Sequence, residues 1–268
     1  MIPPLNDPLL IIRLIEILGS VSVIISSLEF IICPKMVNNN SILNWQVFKL
    51  RHNLLIHKFW ENIFDRLYHP RAYQGLLLAR MLAAIMVLMT PLSGMNENIF
   101  IHFITITSLL MLLRTTFGME GSDQFVLVIF ISLSIILLDN KILIIKTGIL
   151  FIAAQLCLAY LTSGYYKIIT PDWWNGVSLQ GVLNTKNFGN RQLSALLLKN
   201  KTLSKLLSRA FILWECTFPL ILILPKELKL IFLVFGVLFH FCIALIMGLN
   251  NFFWAFLAAY PAILYFNK

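Results

Sequence analysis

The sequence predicts an all-α fold, a polytopic integral membrane bundle of about eight transmembrane helices with additional amphipathic helices at the membrane surface. Of its 268 residues, 59% are hydrophobic and only 12% are charged. A soluble domain carries about a quarter charged residues, so this chain has too few polar side chains to cover a water-soluble globule. Mean hydropathy is +0.84, and we expect residues 1–268 to form a single membrane domain solvated largely by lipid.

Eight apolar runs are the candidate spans, because about 20 apolar residues are needed to cross the hydrocarbon core. They are residues 9–33, 72–92, 99–117, 125–138, 142–169, 210–224, 228–249 and 252–266. The fourth, sixth and eighth runs are short, and each could be a tilted, broken or re-entrant helix. The count therefore lies between seven and nine, with eight preferred.

Basic residues concentrate in two polar connections, residues 34–71 and 170–209, and produce most of the net charge of +9. The positive-inside rule places both connections on the cytoplasmic side, which eight spans allow if both termini lie outside. Residues 193–207 are predicted to form an amphipathic helix on the membrane surface, and residues 45–68 could form another. Zinc-finger and RNA-binding signatures are missing from the sequence, so the expected partner is the lipid bilayer and not nucleic acid.

The cysteines give no sign of a redox or metal site, because none of the four forms a Cys-x-x-Cys pair. Cys157, Cys216 and Cys242 fall within apolar runs, where a thiol behaves as a small hydrophobic group. The N-terminus has neither a basic region nor a small-residue cleavage site, so residues 9–33 are predicted to be a retained span. The predicted location is the bacterial cytoplasmic membrane.

Ionisable residues inside the apolar runs are the strongest functional indications, because each one costs free energy in a lipid environment. Arg13 and Glu16 are three residues apart on one helix and could form an ion pair. Arg80 is expected to meet a carboxylate of a neighbouring helix, and a contact with a ligand is the alternative. Glu215 requires a cationic partner or must stay protonated, and His240 could be either a hydrogen-bonded structural residue or a catalytic one.

Lys167 closes the run 142–169 and precedes a Pro-Asp-Trp-Trp turn that contains Trp173 and Trp174. Tyr160 and Gly164 share its helical face, and Gly164 would permit the close approach of another helix or of a flat ring. One interpretation is an interfacial lysine that extends to water. In the other, an amine in apolar surroundings loses its proton and acts as a general base.

The polar segment 114–124 separates two apolar runs and contains Arg114 and Asp123. It could be a solvated turn. Alternatively, it could be a binding loop in which the two charged side chains orient each other or an anionic group.

Three stretches of the sequence resemble the family that contains vitamin K-dependent gamma-carboxylase, whose members share a horizontally transferred transmembrane domain. The first is residues 160–176, with a Tyr-x-x-x-Gly-x-x-Lys core followed by Trp and Gly. The second is residues 114–123, which are similar to an Arg-Thr…Gly-Gly-Asp loop of the bacterial members. The third runs from Leu238 to Pro261. The resemblance covers residues 60–266.

The resemblance implies a site and a cofactor. Lys167 corresponds to the lysine that activates a reduced, vitamin K-like quinone, and His240 corresponds to a histidine of the hydroquinone site. Glu215 falls where the family carries an acidic residue. Tyr160, Gly164, Trp173 and Trp174 would then surround the ring, together with Arg114 and Asp123. No metal is implied.

Two functions are therefore expected from the sequence. The first is a quinone-dependent enzyme that modifies a peptide or a small molecule. The chain lacks the large C-terminal region with which the carboxylase recognises its substrates, so the substrate is open. The alternative is a non-catalytic membrane accessory for the maturation or export of a peptide such as a toxin or bacteriocin, working with a partner subunit. A transporter is less favoured, because no repeated pair of broken helices is found.

Overall fold

The computed structural model describes residues 7–33, 44–52, 58–90, 98–115, 120–139 and 141–266, and within these ranges every regular element is a helix. In chain order the α-helices are α1 (Pro8–Ile32), α2 (Trp45–His52), α3 (Lys58–Leu67), α4 (Pro70–Met89), α5 (Asn98–Arg114), α6 (Gly121–Leu138), α7 (Ile142–Ile168), α8 (Pro171–Trp174), α9 (Val177–Leu183), α10 (Arg191–Lys199), α11 (Lys201–Thr217), α12 (Lys226–Met247) and α13 (Asn250–Tyr265). A 3₁₀ turn over Phe218–Leu222 follows α11. The prediction of an all-α fold is confirmed.

Five helices are long and apolar enough to cross a membrane, namely α1, α4, α6, α7 and α12. The apolar helix α5 is shorter. The predicted run 210–224 is not one continuous α-helix, because α11 ends at Thr217 and continues as the 3₁₀ turn. Pro219 explains this change, since proline has no amide hydrogen to donate to the preceding turn. The count of eight spans stays a prediction.

The predicted surface helix 193–207 is in fact two helices that meet at Asn200. Asn200 ends α10, and its side-chain oxygen accepts a hydrogen bond from the amide of Leu203 at 3.0 Å in the first turn of α11. Asparagine is favoured at such helix starts because its side chain satisfies an amide that has no partner within the helix. In the predicted segment 45–68 the structure has α2 and α3, while residues 53–57 lie outside the described ranges.

The described chain divides into two compact units, and the division falls within α1 and α7. The first unit comprises the described residues between 12 and 148. The second unit comprises the described residues from 149 onwards together with residues 7–11. The single membrane domain expected from the sequence stays a prediction.

Arg13 ties two helices of the first unit together. Its guanidinium forms an ion pair with Glu16 at 3.1 Å and donates to the carbonyl oxygens of Val87 at 2.7 Å and Thr90 at 2.6 Å. The last carbonyls of a helix have no partner within it, so Arg13 satisfies the end of α4. The predicted ion pair between Arg13 and Glu16 is confirmed.

Arg80 lies buried in α4 and bonds hydroxyl groups, not a carboxylate. Its guanidinium donates to Ser27 Oγ at 3.0 Å and to Ser108 Oγ at 3.3 Å, which belong to α1 and α5. Among the described residues no carboxylate forms an ion pair with Arg80, although the Asp123 carboxylate of α6 acts on it electrostatically. Serine hydroxyls on both neighbouring helices supply the acceptors that a buried guanidinium requires.

The short helices α2 and α3 attach to the first unit through aromatic side chains. The Trp45 ring lies 4.4 Å from that of Tyr68, and its indole N–H donates to Asp65 at 2.7 Å. Lys49 also bonds Asp65, at 3.0 Å, and this hydrogen bond raises the pKa of the Lys49 ammonium above its ordinary value. Helices α2 and α3 are thereby fixed to the core at Tyr68.

We predict that Arg13→Ala destabilises the first unit strongly, because it leaves Glu16 and two carbonyl groups buried without their partner. Removing one member of a buried ion pair costs about 3–5 kcal/mol. Thermal unfolding in detergent measures the effect, and Arg71→Ala is the matched control because Arg71 is exposed on α4. Equal melting temperatures for the two variants would contradict this role of Arg13.

Candidate functional site

The centre of the candidate site is an ion pair between α7 and α11 in the second unit. Lys167 Nζ lies 2.5 Å from both carboxylate oxygens of Glu215 and donates to Ser163 Oγ at 2.8 Å. The Glu215 side chain is 3% exposed, against 17% for Lys167. The cationic partner that the sequence requires for Glu215 is therefore Lys167.

Gly164 allows α7 and α11 to approach closely enough to form this pair. A Cβ atom at Gly164 would lie 2.5 Å from Cys216 Sγ and 2.9 Å from the amide nitrogen of Cys216. Real Cβ atoms essentially never approach other heavy atoms so closely. Of the two uses predicted for Gly164, the structure shows the close approach of a helix.

The turn after Lys167 is held against α11 by three side chains. Ser204 donates to the carbonyl oxygen of Gly176 at 2.8 Å, and Ser208 donates to that of Trp173. Arg209 Nε donates to the carbonyl oxygen of Trp174 at 3.2 Å. Gly176 has a φ of 76°, a left-handed conformation that favours glycine, and any Cβ there would collide with the backbone of α11. The position of the turn is therefore set by α11.

The two tryptophans of the turn have different surroundings. The Lys167 ammonium lies 5.3 Å from the ring centroid of Trp173, within the range of a cation–π interaction. The indole N–H of Trp174 instead donates to the carbonyl oxygen of Ile168 at 2.8 Å, and its ring faces Arg209. Trp173 thus contacts the site, whereas Trp174 stabilises the turn.

A cavity of about 370 Å³ opens beside Lys167 and Trp173. The remaining lining residues are hydrophobic and come from α9, α10, α11 and α12. They are Leu179, Val182, Leu183, Leu193, Leu196, Leu197, Leu203, Leu207, Phe211, Phe239, Cys242, Ile243, Ile246 and Met247. Lys167 is the one charged side chain of this lining, so the cavity is apolar with a single polar end.

His240 belongs to a second, more deeply buried cluster. The Tyr160 hydroxyl lies 2.8 Å from His240 Nε2 and 2.8 Å from the Tyr260 hydroxyl, which links α7, α12 and α13. The His240 ring stacks on Phe256 at 4.1 Å, and its Nδ1 has no hydrogen-bond partner among the described residues. Its neighbour Phe239 lines the cavity, whereas His240 does not. Within the described residues no hydrogen bond joins this cluster to Lys167.

Arg114 and Asp123 lie in the first unit. The Arg114 guanidinium lies 4.3 Å from the ring centroid of Tyr73, and Asp123 Oδ1 accepts a hydrogen bond from Ser26 at 2.7 Å. Residues 116–119 of the proposed binding loop lie outside the described ranges. Just before α6, burial and the nearby Asp123 raise the pKa of the Glu120 carboxyl above its usual range.

Two serines that support the site, Ser204 and Ser208, were not predicted from the sequence. They precede the predicted Glu215 by eleven and seven residues, so all three share one face of α11, and this spacing could have revealed the serines. Tyr260 lies in the stretch that resembles the carboxylase family, but no role was predicted for it. The described residues contain no group of His, Cys, Asp and Glu side chains that could hold a metal ion.

No protein-family model, curated protein or solved structure matches the chain. The resemblance to the carboxylase family therefore stays a prediction.

We predict that Gly164→Ala forces α7 and α11 apart and exposes the Cys216 thiol. Overpacking of this kind costs about 1–3 kcal/mol. Alkylation of Cys216 followed by mass spectrometry should be faster in this variant, and its melting temperature should fall. Gly181→Ala in α9 is the matched control, because a Cβ there meets no atom within 4 Å. If Gly164→Ala behaves like Gly181→Ala, the close approach does not hold the pair together.

We predict that Tyr160→Phe destabilises the second unit more than Tyr260→Phe. The first change leaves both His240 Nε2 and the Tyr260 hydroxyl without their bond to Tyr160, and each buried group left unsatisfied costs about 1–3 kcal/mol. The second change removes one of the two bonds. Unfolding in denaturant measures both variants, and an equal loss of stability would show that Tyr160 does not link the two groups.

Proposed function

We propose that the chain is an integral membrane enzyme that uses a reduced lipid quinone, or a similar hydrophobic cofactor, to modify a peptide or a small molecule. The observation that carries this proposal is the placement of Lys167. Its ammonium, held by a buried carboxylate, forms the one charged end of an otherwise apolar cavity. A largely apolar cavity with a single charged group at one end is typical of a small-molecule site.

The exposed surface of the second unit supports a membrane location. On α12, Ile231, Val234, Leu238 and Leu245 are each more than half exposed. An apolar helix surface of this kind requires lipid or another protein as its solvent. We propose that all five long apolar helices cross the bacterial cytoplasmic membrane, as part of a bundle of about eight spans.

The cavity suits a ring with a hydrocarbon tail. Its volume lies within the range of about 300–1,000 Å³ that is common for small-molecule sites. Trp173 offers a flat face near its polar end, Phe239 offers another in the lining, and the leucines of α9 and α10 offer surface for a tail. A reduced quinone, when bound, supplies an acidic hydroxyl and electrons for oxygen chemistry.

The side chains of the site can hold and move a proton at this polar end. Transfer of the Lys167 proton to Glu215 would leave a neutral amine next to a neutral acid, which a dry environment favours over two separated charges. The amine could then accept a proton from a ligand hydroxyl. Ser163, bonded to Lys167 and 3.2 Å from Glu215 Oε1, keeps both groups in place. Lys167 is thus the proposed base and Glu215 its proton store.

We assign His240 and Tyr160 a supporting role in this proposal. Their bond fixes α7 to α12, and α12 supplies one wall of the cavity. For Arg114 and Asp123, which belong to the first unit, we retain a role in orienting an anionic group as a proposal that rests on the sequence alone.

A second candidate function is supported by the same ion pair. Two charges that neutralise each other at 2.5 Å need no ligand, so the pair could be purely structural. The chain would then be a membrane accessory for the maturation or export of a peptide, acting with a partner subunit. In that case neutral replacements of both charged residues would be tolerated.

We predict that Lys167→Ala abolishes quinol-dependent turnover. The assay follows oxygen consumption by the full-length protein in proteoliposomes that contain menaquinol. Loss of a general base lowers rates by about 10²–10⁴-fold. Because the change leaves Glu215 without its partner, Lys167→Met combined with Glu215→Gln serves as a second variant that leaves no unpaired charge. Lys146→Met, an exposed lysine on the same helix, is the matched control.

Ligand binding is tested separately through Cys242, which lines the cavity. Menaquinol should protect Cys242 from alkylation, while the exposed Cys33 of the first unit should react at an unchanged rate. Protection together with loss of turnover in both Lys167 variants supports the enzyme. Full function without protection, together with a co-purified peptide or subunit, supports the accessory.

A further inference from the structure

The cavity is covered by a helical segment, residues 177–209, that carries both leucines and basic residues. We name this segment the roof. It contains α9, α10 and the first half of α11. The inner side of the roof lines the cavity with leucines, among them Leu193, Leu197, Leu203 and Leu207. Ser204 and Ser208 fasten it to the α8 turn.

The outer side of the roof also carries leucines. Leu198 and Leu206, which do not line the cavity, are 53% and 61% exposed. Apolar side chains of α10 therefore lie both in the cavity lining, where Leu193, Leu196 and Leu197 are, and outside it, where Leu198 is. An outer face of this kind requires an amphiphilic environment.

The charge of the roof is of one sign. Residues 177–209 contain six basic residues and no aspartate or glutamate, the basic residues being Lys186, Arg191, Lys199, Lys201, Lys205 and Arg209. The first four are exposed. Arg209 is turned towards Trp174, so the outward positive charge comes mainly from the lysines and Arg191. Because residues 177–209 contain no carboxylate, the counter-charges for these basic side chains must come from outside the roof.

We infer that the outer face of the roof docks on anionic phospholipid headgroups. Exposed leucines beside lysines match the boundary between acyl chains and headgroups, where the leucines enter hydrocarbon and the lysines stay at the phosphates. A nucleic acid would compensate the lysines but would leave the leucines in water. The inference rests on the proposed membrane location and is independent of the quinone chemistry.

Docking of the roof would place the cavity directly beneath the headgroup layer. A ligand dissolved in the bilayer would then reach the cavity at the level where its polar ring resides and its tail extends into hydrocarbon. Lipid charge would also stabilise the segment that covers the cavity. The kind of lipid is therefore expected to affect the roof more than it affects the long apolar helices.

A fluorophore on α10 tests the inference directly. Ala195→Cys, at an exposed position of α10, is labelled with an environment-sensitive dye in a full-length background in which Cys33 and Cys242 are replaced by serine. The protein is reconstituted in nanodiscs of POPC alone and of POPC with increasing POPG. We expect a blue shift and reduced quenching by iodide as POPG increases, and reversal of both by salt.

Matched charge variants identify the basic residues responsible. Lys199→Gln, Lys201→Gln and Lys205→Gln together should weaken the response to POPG on the order of 100-fold, since each lysine near an anionic surface contributes about 1 kcal/mol. Replacement of the same three lysines by arginine should preserve it. Lys141→Gln, Lys146→Gln and Lys226→Gln remove the same net charge at exposed positions outside the roof and should leave the response unchanged.

Three results would overturn the inference. The first is an equal blue shift in POPC and in POPG, and the second is an equal response from the two glutamine triple variants. The third is a blue shift produced in POPC by an acidic polypeptide such as polyglutamate, which would point to a protein partner instead. Each result can be obtained while the protein stays inserted, whereas complete extraction by carbonate would contradict the membrane location itself.

Discussion

Lys167 and Glu215 lie where water is scarce, so each charge has to be neutralised by a partner within the second unit. That requirement fixes the distance between α7 and α11, and Gly164 is the residue that makes the distance possible. The same approach brings Ser204 and Ser208 of α11 under the α8 turn, which places Trp173 over the ammonium. One electrostatic constraint therefore determines the polar end of the cavity.

The hydrophobic walls of the cavity are formed by the helices that come after the α8 turn. After the turn, α9, α10 and α11 line the cavity with leucines. The deeper bonds of Tyr160 to His240 and Tyr260 fix α12 and α13 to α7 without reaching the cavity. An apolar chamber with a single ionisable end is the arrangement expected for a hydrophobic ligand with one acidic group, and the proposed quinone chemistry depends on that match.

The sequence predicted the helical class and the need of Glu215 for a cation, because apolar runs and isolated charges depend on local composition. It did not predict the break at Asn200 or the serine partners of Arg80. At Asn200, starting a new helix and continuing the preceding one differ by only a small free energy. Whether Arg80 bonds hydroxyl groups or carboxylates depends on which helices pack beside α4. The bonding of His240 to Tyr160 and not to Lys167 was likewise hidden, because spacing along one helix gives no distance between helices.

A double-mutant cycle on the unfolding free energy of the full-length protein, with Lys167→Met and Glu215→Leu, tests the central claim most directly. If the two charges neutralise each other in a dry site, each single variant leaves an uncompensated charge and the double variant does not. We then expect a coupling free energy of about 2 kcal/mol or more, with the double variant more stable than either single one. Additive effects of the two changes would contradict it.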